Sequence, residues 1–186
     1  MKKLPLLLIL TFLCLFPTKQ TLASFLDVSP NNIHTEDINE LSDLGLIKGY
    51  ENGNFGPNNS IIRQNVARIL GRWLQLEHYY IPEDALSTKR FYDISLTDDT
   101  ELVKLTALLA EEGIFNGYEG RLMSAANMNR EQTALVLVRA VKTVYGEDLV
   151  AIYKQANFKS NVKDIHNLSI EAQEAIIALE LSLIHI

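Results

Sequence analysis

The sequence predicts a mainly α-helical protein built from tandem helix–turn–helix units, two of them complete and the third truncated. Three observations carry that prediction. First, residues 25–72 and 91–139 share a skeleton whose offset drifts only between 66 and 68 residues. It begins with Phe-x-Asp-aliphatic (Phe25, Asp27, Val28 and Phe91, Asp93, Ile94). It passes through Gly-aliphatic-x-x-Gly-Tyr (Gly45, Gly49, Tyr50 and Gly113, Gly117, Tyr118) and closes on Arg63, Ala67, Arg72 and Arg130, Ala134, Arg139. Second, apolar residues on either side of each Gly-Tyr turn recur at helical spacing. Third, a lone helical hairpin cannot bury its apolar stripe, so units repeated in tandem must pack on one another.

Residues 1–23 predict a signal peptide. Met1-Lys2-Lys3 is a basic start, Leu4 to Phe16 is almost unbroken apolar sequence, and Pro17 stops any helix formed there. Small residues around Thr21-Leu22-Ala23 place cleavage before Ser24. The apolar run is shorter than the ~20 residues a bilayer needs, so no membrane span is expected after cleavage.

The first repeat is placed at 24–75. Ile38, Leu41 and Leu44 form one helical stripe, with Thr35 as N-cap and Glu36 and Asp37 in the favourable first turn. Gly45 stands where a left-handed residue ends a helix, and Gly49-Tyr50-Glu51-Asn52-Gly53 is turn chemistry. Val66, Ile69, Leu70 and Trp73 mark the second helix. A linker over 76–90 leads to the second repeat, 91–142, whose helices carry Leu105, Leu108, Leu109 and then Ala134, Leu137, Val138, Val141. Asn129 and Gln132 have capping-box spacing. A second linker, 143–161, is expected to be partly helical through Leu149, Ile152 and Tyr153. The third repeat, 162–186, opens at Val162-Lys163-Asp164-Ile165 and has a helical stretch from Ile170 to Leu181. Ser182 or Leu183 stands where its first Gly is due, and the chain ends at Ile186 before a Gly-Tyr turn.

Composition excludes several function classes. Seventeen Lys+Arg against 23 Asp+Glu give a net charge of −6, and removal of 1–23, with three Lys and no acid, makes it −9. Binding of nucleic acid through bulk basicity is therefore not expected. The single Cys14 lies in the leader, leaving no thiol for catalysis, disulfides or metal. His34, His78, His166 and His185 are scattered, with no His-x-x-x-His pair to bind zinc. There is no nucleophile elbow and no phosphate-cradling loop. Asp98-Asp99 and Glu111-Glu112 are adjacent carboxylates that point different ways, as on a solvated face. Loop 49–57 lacks the acidic spacing of an EF-hand. Neither catalysis nor a cofactor is expected.

The segment Gly45-Leu46-Ile47-Lys48-Gly49-Tyr50-Glu51-Asn52-Gly53-Asn54-Phe55-Gly56-Pro57, with the opening Phe25-x-Asp27-Val28, resembles the S-layer homology domain. The resemblance extends over both full units and part of the third. It departs from the family pattern at Ile62-Arg63-Gln64-Asn65 and Asn129-Arg130-Glu131-Gln132, where the family has Thr-Arg-Ala-Glu, and at Ile33, often Trp. The second unit has Leu122 at the Phe position and Ala125 near the Pro position. The resemblance implies a pseudo-threefold helical bundle that anchors an exported protein non-covalently to the bacterial cell wall. It implies a glycan partner, a secondary cell-wall polysaccharide or peptidoglycan-linked sugar that in the family is often pyruvylated. It also implies a place at the cell surface or on the periplasmic face of the envelope, and leaves room for a C-terminal cargo domain beyond Ile186. The alternative is a degenerate module that packs on another protein, as part of a larger envelope protein, without binding glycan.

Carried over residue by residue, the ligand-binding set is Asp27, Gly49, Tyr50 and Arg63 in the first unit and Asp93, Gly117, Tyr118 and Arg130 in the second. An Arg in the first turn of a helix adds its donors to exposed backbone N–H groups, a combination suited to a carboxylate. The Tyr rings offer faces for a sugar. A structural alternative pairs Arg63 with Asp27 and Arg130 with Asp93 to lock each unit. Turn geometry alone accounts for the glycines. Trp73 and Tyr79-Tyr80 are expected in core or linker packing.

Overall fold

A computed structural model describes residues 25–184 apart from Asp98, with side chains through Ser182. The leader, its cleavage site, Cys14, Asp98 and His185 lie outside the described residues. Among the described residues six helices follow in chain order: α1 (Thr35–Asp43), α2 (Arg63–Leu76), α3 (Thr100–Glu111), α4 (Arg130–Tyr145), α5 (Leu149–Gln155) and α6 (Ile170–Ile184). The described residues contain no strand, only the isolated bridges Ile62–Asn127 and Tyr118–Arg121. The protein is mainly α, as the sequence predicts.

Helix ends follow local chemistry. α4 begins with the expected capping box: Asn129 Oδ1 accepts from Gln132 N at 2.8 Å, and Gln132 Oε1 accepts from Asn129 N at 3.3 Å. Asp99 caps α3 and Asp148 caps α5, each accepting the backbone N–H three residues on. Thr35 is not the cap of α1. The cap position belongs to His34, whose side chain makes no capping bond to the backbone, and the Thr35 hydroxyl donates to Ser29 O at 2.7 Å. Gly45, with φ +72°, ends the turn after α1 as expected. The start of α2 has no side-chain cap either. Arg63 N and Gln64 N donate to Ala126 O and Ser124 O, so a loop of the second unit closes the first unit's helix.

Packing crosses the unit boundaries. α2 lies along α3, and α4 lies along α6, which also takes α5. The main core joins Val66, Ala67, Leu70 and Leu74 of α2 to Leu102, Val103, Leu108 and Leu109 of α3, with Phe91, Ile114, Phe115 and Leu122. Helix α4 serves two cores. Val136 and Ala140 enter the main one, while Ala134, Leu135 and Val138 face Ile165, Ala175 and Ile176 of the third segment. A small cluster of Val28, Ile38 and Ile47, with Phe25, Phe55 and Ile69 against it, holds α1. Of the stripe predicted on α1, only Ile38 is buried; Leu41 is 36% and Leu44 50% exposed. The second-unit counterpart of Leu41, Leu109, is fully buried, because α2 lies along α3 and among the described residues no helix lies along α1 in that way.

Trp73 and Tyr79 pack on the main core as expected, but Tyr80 is 87% exposed. Tyr79 also donates its hydroxyl to Thr143 O, tying the two linkers together. No described helix is long and apolar enough to cross a membrane.

Candidate functional site

The Gly-Tyr turn of each unit is held by the unit's opening Phe-x-Asp. Asp27 accepts Phe55 N at 2.7 Å and Gly56 N at 2.8 Å through its two carboxylate oxygens. Asp93 does the same with Leu122 N and Met123 N, at 2.8 and 2.7 Å. Those N–H donors hold the Asp27 carboxyl below its ordinary pKa, Phe55 N contributing most. Gly49 (φ +65°) and Gly117 (φ +67°) bring the turn against the opening Phe ring. A Cβ on Gly117 would lie 2.6 Å from Arg121 O and 2.9 Å from Phe91, so only Gly fits.

In the first unit this turn walls a cleft of about 450 Å³. Its lining includes Tyr50, Gly56 and Pro57, the apolar Ile47, Ile61 and Ile69, and the basic Lys48, Arg68 and Arg72. Asn59, Ser60 and Asn65 add neutral hydrogen-bonding groups. Tyr50 is 51% exposed and also lines a neighbouring polar groove that contains Asp27, Asn52, Asn54 and Asn58.

The three basic residues are braced by the next unit. Arg72 makes two 2.9 Å bonds to Glu101, and its Nη1 donates to Leu46 O at 3.0 Å. Arg68 Nη2 donates to Asp99 at 2.7 Å, and Lys48 Nζ is 3.8 Å from Glu101. These carboxyls titrate low. Bonding to Arg72 is the chief cause for Glu101, and the Leu102 N–H followed by Arg68 for Asp99.

The two motif arginines lie elsewhere and do different work. Arg63 Nε donates to Leu122 O at 2.6 Å, and its guanidinium sits 5.5 Å above the Phe115 ring. Partial burial lowers the Arg63 pKa, and the neighbouring Asp93 carboxylate opposes that shift. Arg130 Nη2 donates to Asp164 Oδ1 at 2.7 Å and thereby holds the Asp164 carboxyl low. Each motif Arg thus stands beside the opening Asp of the following unit, which replaces the pairings Arg63–Asp27 and Arg130–Asp93 within a unit. The exposed N–H groups expected beside Arg63 are also taken, since Arg63 N and Gln64 N are bonded to the loop of the second unit. The final arginines repeat the logic: Arg72 pairs with Glu101, and Arg139 with Glu171.

Of the eight residues carried over from the resemblance, Gly49 and Tyr50 line the cleft, and Asp27 lies in the groove behind Tyr50. Arg63, Asp93 and Arg130 sit at unit junctions, whereas Tyr118 is 66% exposed beside its own turn at Gly117. Lys48, Arg68, Arg72 and Asn59 were missed. Arg68 has a helical-periodicity signal, one turn before Arg72, but nothing in the sequence shows which face the turn covers. No group of three or more His, Asp or Glu suited to a metal lies among the described residues.

The depressed carboxyls set an acid limit. Asp84, Asp99, Glu101, Asp148 and Asp164 all titrate below their ordinary values because of basic partners or backbone donors. A carboxyl lowered on folding adds stability above its unfolded pKa of about 4 and loses it as pH falls through the folded value. The melting temperature should therefore be level from pH 7 to about 5 and fall below about 4. Thermal unfolding followed by circular dichroism across that range checks it; a melting temperature that rose on acidification would contradict these pairings.

No curated protein matches the chain significantly. Residues 24–67 match the family model of the S-layer homology domain. The matched span holds the opening Asp27, the Gly-Tyr turn and the start of α2, the parts that form the cleft's turn side. Over these residues the chain is similar to S-layer homology domains.

Proposed function

We propose that this chain is exported and holds its protein at the bacterial surface by binding a secondary cell-wall polysaccharide or another wall-linked glycan. In this reading residues 24–75 and 91–142 are two S-layer homology units, and 162–186 is the start of a third. The supporting observation is the first-unit cleft. It brings together an exposed Tyr50, the basic Lys48, Arg68 and Arg72, apolar residues and the Asn59 and Asn65 side chains. A sugar ring has an apolar face for the Tyr and hydroxyls for the amides, and an acidic substituent meets the guanidinium groups.

The test is retention on purified sacculi before and after removal of secondary polysaccharide. Retention should be lost on stripping. Equal retention after stripping, or none before it, rules out the glycan. A second reading, docking on another protein, draws on exposed Leu26 (80%) and Ile33 (87%) in the first unit. It predicts retention that survives stripping of polysaccharide and is lost when wall-associated proteins are extracted.

A further inference from the structure

Asn-Gly, the dipeptide most prone to lose its side-chain amide, occurs twice in the chain, as Asn52-Gly53 and Asn116-Gly117. The loss begins when the next backbone nitrogen attacks the side-chain carbonyl, and a glycine there has no Cβ to obstruct the approach. Both asparagines are exposed, so local sequence and solvent access give them the same chemistry. The fold treats them differently.

Asn116 stands between two fixed points. Phe115 before it is 1% exposed in the main core. Gly117 after it is pressed against the turn, where a Cβ would lie 2.9 Å from the Phe91 ring and 2.6 Å from Arg121 O. Ring closure must rotate the peptide between Asn116 and Gly117, and these neighbours hold it. Gly117 N–H makes no hydrogen bond among the described residues, so hydrogen bonding alone would favour reaction here. A fully buried aromatic ring outweighs one backbone bond, and packing decides.

Asn52 sits at a loop tip, with Glu51 and Gly53 exposed on either side. The side chain nearest to Gly53 is Leu26, itself 80% exposed. Gly53 N donates to Tyr50 O at 2.9 Å, a single bond that local opening breaks without disturbing the core. Asn54 N donates to Asn52 Oδ1 at 3.1 Å, which holds the amide toward the following chain and draws electrons from its carbonyl carbon.

We propose that Asn52 is a site of spontaneous modification, converted to isoaspartate with water as the only co-reactant, while the fold protects Asn116. Gly53 N gives its proton to solvent and bonds to Asn52 Cγ, and the side-chain nitrogen leaves as ammonia. Water then adds to the cyclic imide and opens it; nothing is oxidised or reduced. Opening at the main-chain carbonyl routes the backbone through Cγ, which adds a methylene to the loop and a carboxylate to its surface. The methylene falls inside the loop closed by Tyr50 N–Asn54 O (2.7 Å) and Gly53 N–Tyr50 O, beside the 3.0 Å bond from Leu26 N to Gly53 O. These bonds cannot all survive the longer chain, so the turn loosens from the opening segment that carries Asp27. The corresponding tip in the second unit, Glu119-Gly120, has no side-chain amide to lose. Tyr50 belongs to the altered loop, so the lining of the first-unit cleft changes with age, whatever the cleft holds.

The test incubates the purified protein at mildly alkaline pH, folded and in urea, and follows the tryptic peptides of Asn52 and Asn116 by mass spectrometry. In urea the two sites should react within a few-fold of each other. In the folded protein Asn52 should react at least ~10-fold faster than Asn116. Aged folded protein should melt about 2–4 °C lower, the effect of losing a backbone bond or two in a chain of this size. Asn52→Gln, whose longer side chain closes the ring far more slowly, should age without that loss. Reaction at Asn52 no faster than at Asn116 in the folded protein would overturn the assignment. An unchanged melting temperature after modification of Asn52, or an equal loss in aged Asn52→Gln, would overturn the loosening of the turn.

Discussion

Phe115→Ala lowers the unfolding free energy by about 3–5 kcal/mol, the usual result of emptying a fully buried aromatic site. Phe115 is 1% exposed and stands in the main core with Leu109, Ile114 and Leu122. The site has little room to collapse, because α2 and α3 border it and both are held by ion pairs at their ends. The ring has a second role: the Arg63 guanidinium lies over its face. Without the ring a half-buried cation loses its attractive surface and keeps its desolvation cost. Urea unfolding of the whole chain measures the change. A loss below about 1 kcal/mol would mean that the core around Phe115 is looser than the packing shows. Phe115→Leu, which keeps most of the apolar volume, should cost far less.

Gly71→Val is the second large effect, and it acts by adding atoms. Gly71 is buried in the middle of α2, where a Cβ would lie 2.8 Å from Leu105 Cβ and 3.0 Å from its Cδ2. The nearest obstacle is the root of the facing side chain, so no rotamer change of Leu105 removes it. The helices must separate, at a cost of about 3 kcal/mol, the upper end of overpacking in a close-packed core. Gly71→Ala meets the same contact, but regains about 1 kcal/mol from helix propensity and loses correspondingly less. Melting curves of the two variants settle the order. Equal stability of Gly71→Val and the parent would show that α2 and α3 are not in close contact at this point.

The comparison with sequence can now be made element by element. Helix positions, the Gly45 terminus, the Asn129–Gln132 capping box and the helical character near Leu149 were legible, because each rests on neighbours along the chain. The burial of Leu41 and Leu44 was not. Periodicity marks an apolar stripe, but whether a helix lies along it depends on the preceding unit, which α1 does not have among the described residues. The motif arginines misled for a related reason. Arg63 and Arg130 match the repeat, but they bond Leu122 O and Asp164, over 30 residues away and in the next unit. The second-unit turn hid a further substitution. Met123 takes φ +58° where the first unit has Gly56 at φ +75°. Its N–H is held by Asp93, which keeps a side chain in a conformation that normally asks for glycine.

The cross-boundary packing of α2 on α3 and of α4 on α6 has a consequence for what counts as one piece of this protein. The repeat written in the sequence runs from Phe-x-Asp to the final Arg, but the folded block is half a period out of phase with it, running from one Gly-Tyr turn to the next. A fragment cut at a linker would carry one helix stripped of its partner and two arginines stripped of their acids. A fragment cut at the turns would keep both. The grammar of the chain and the joints of the molecule fall in different places, so duplicating a unit in the gene lengthens the structure by inserting a new interface, not merely a new hairpin.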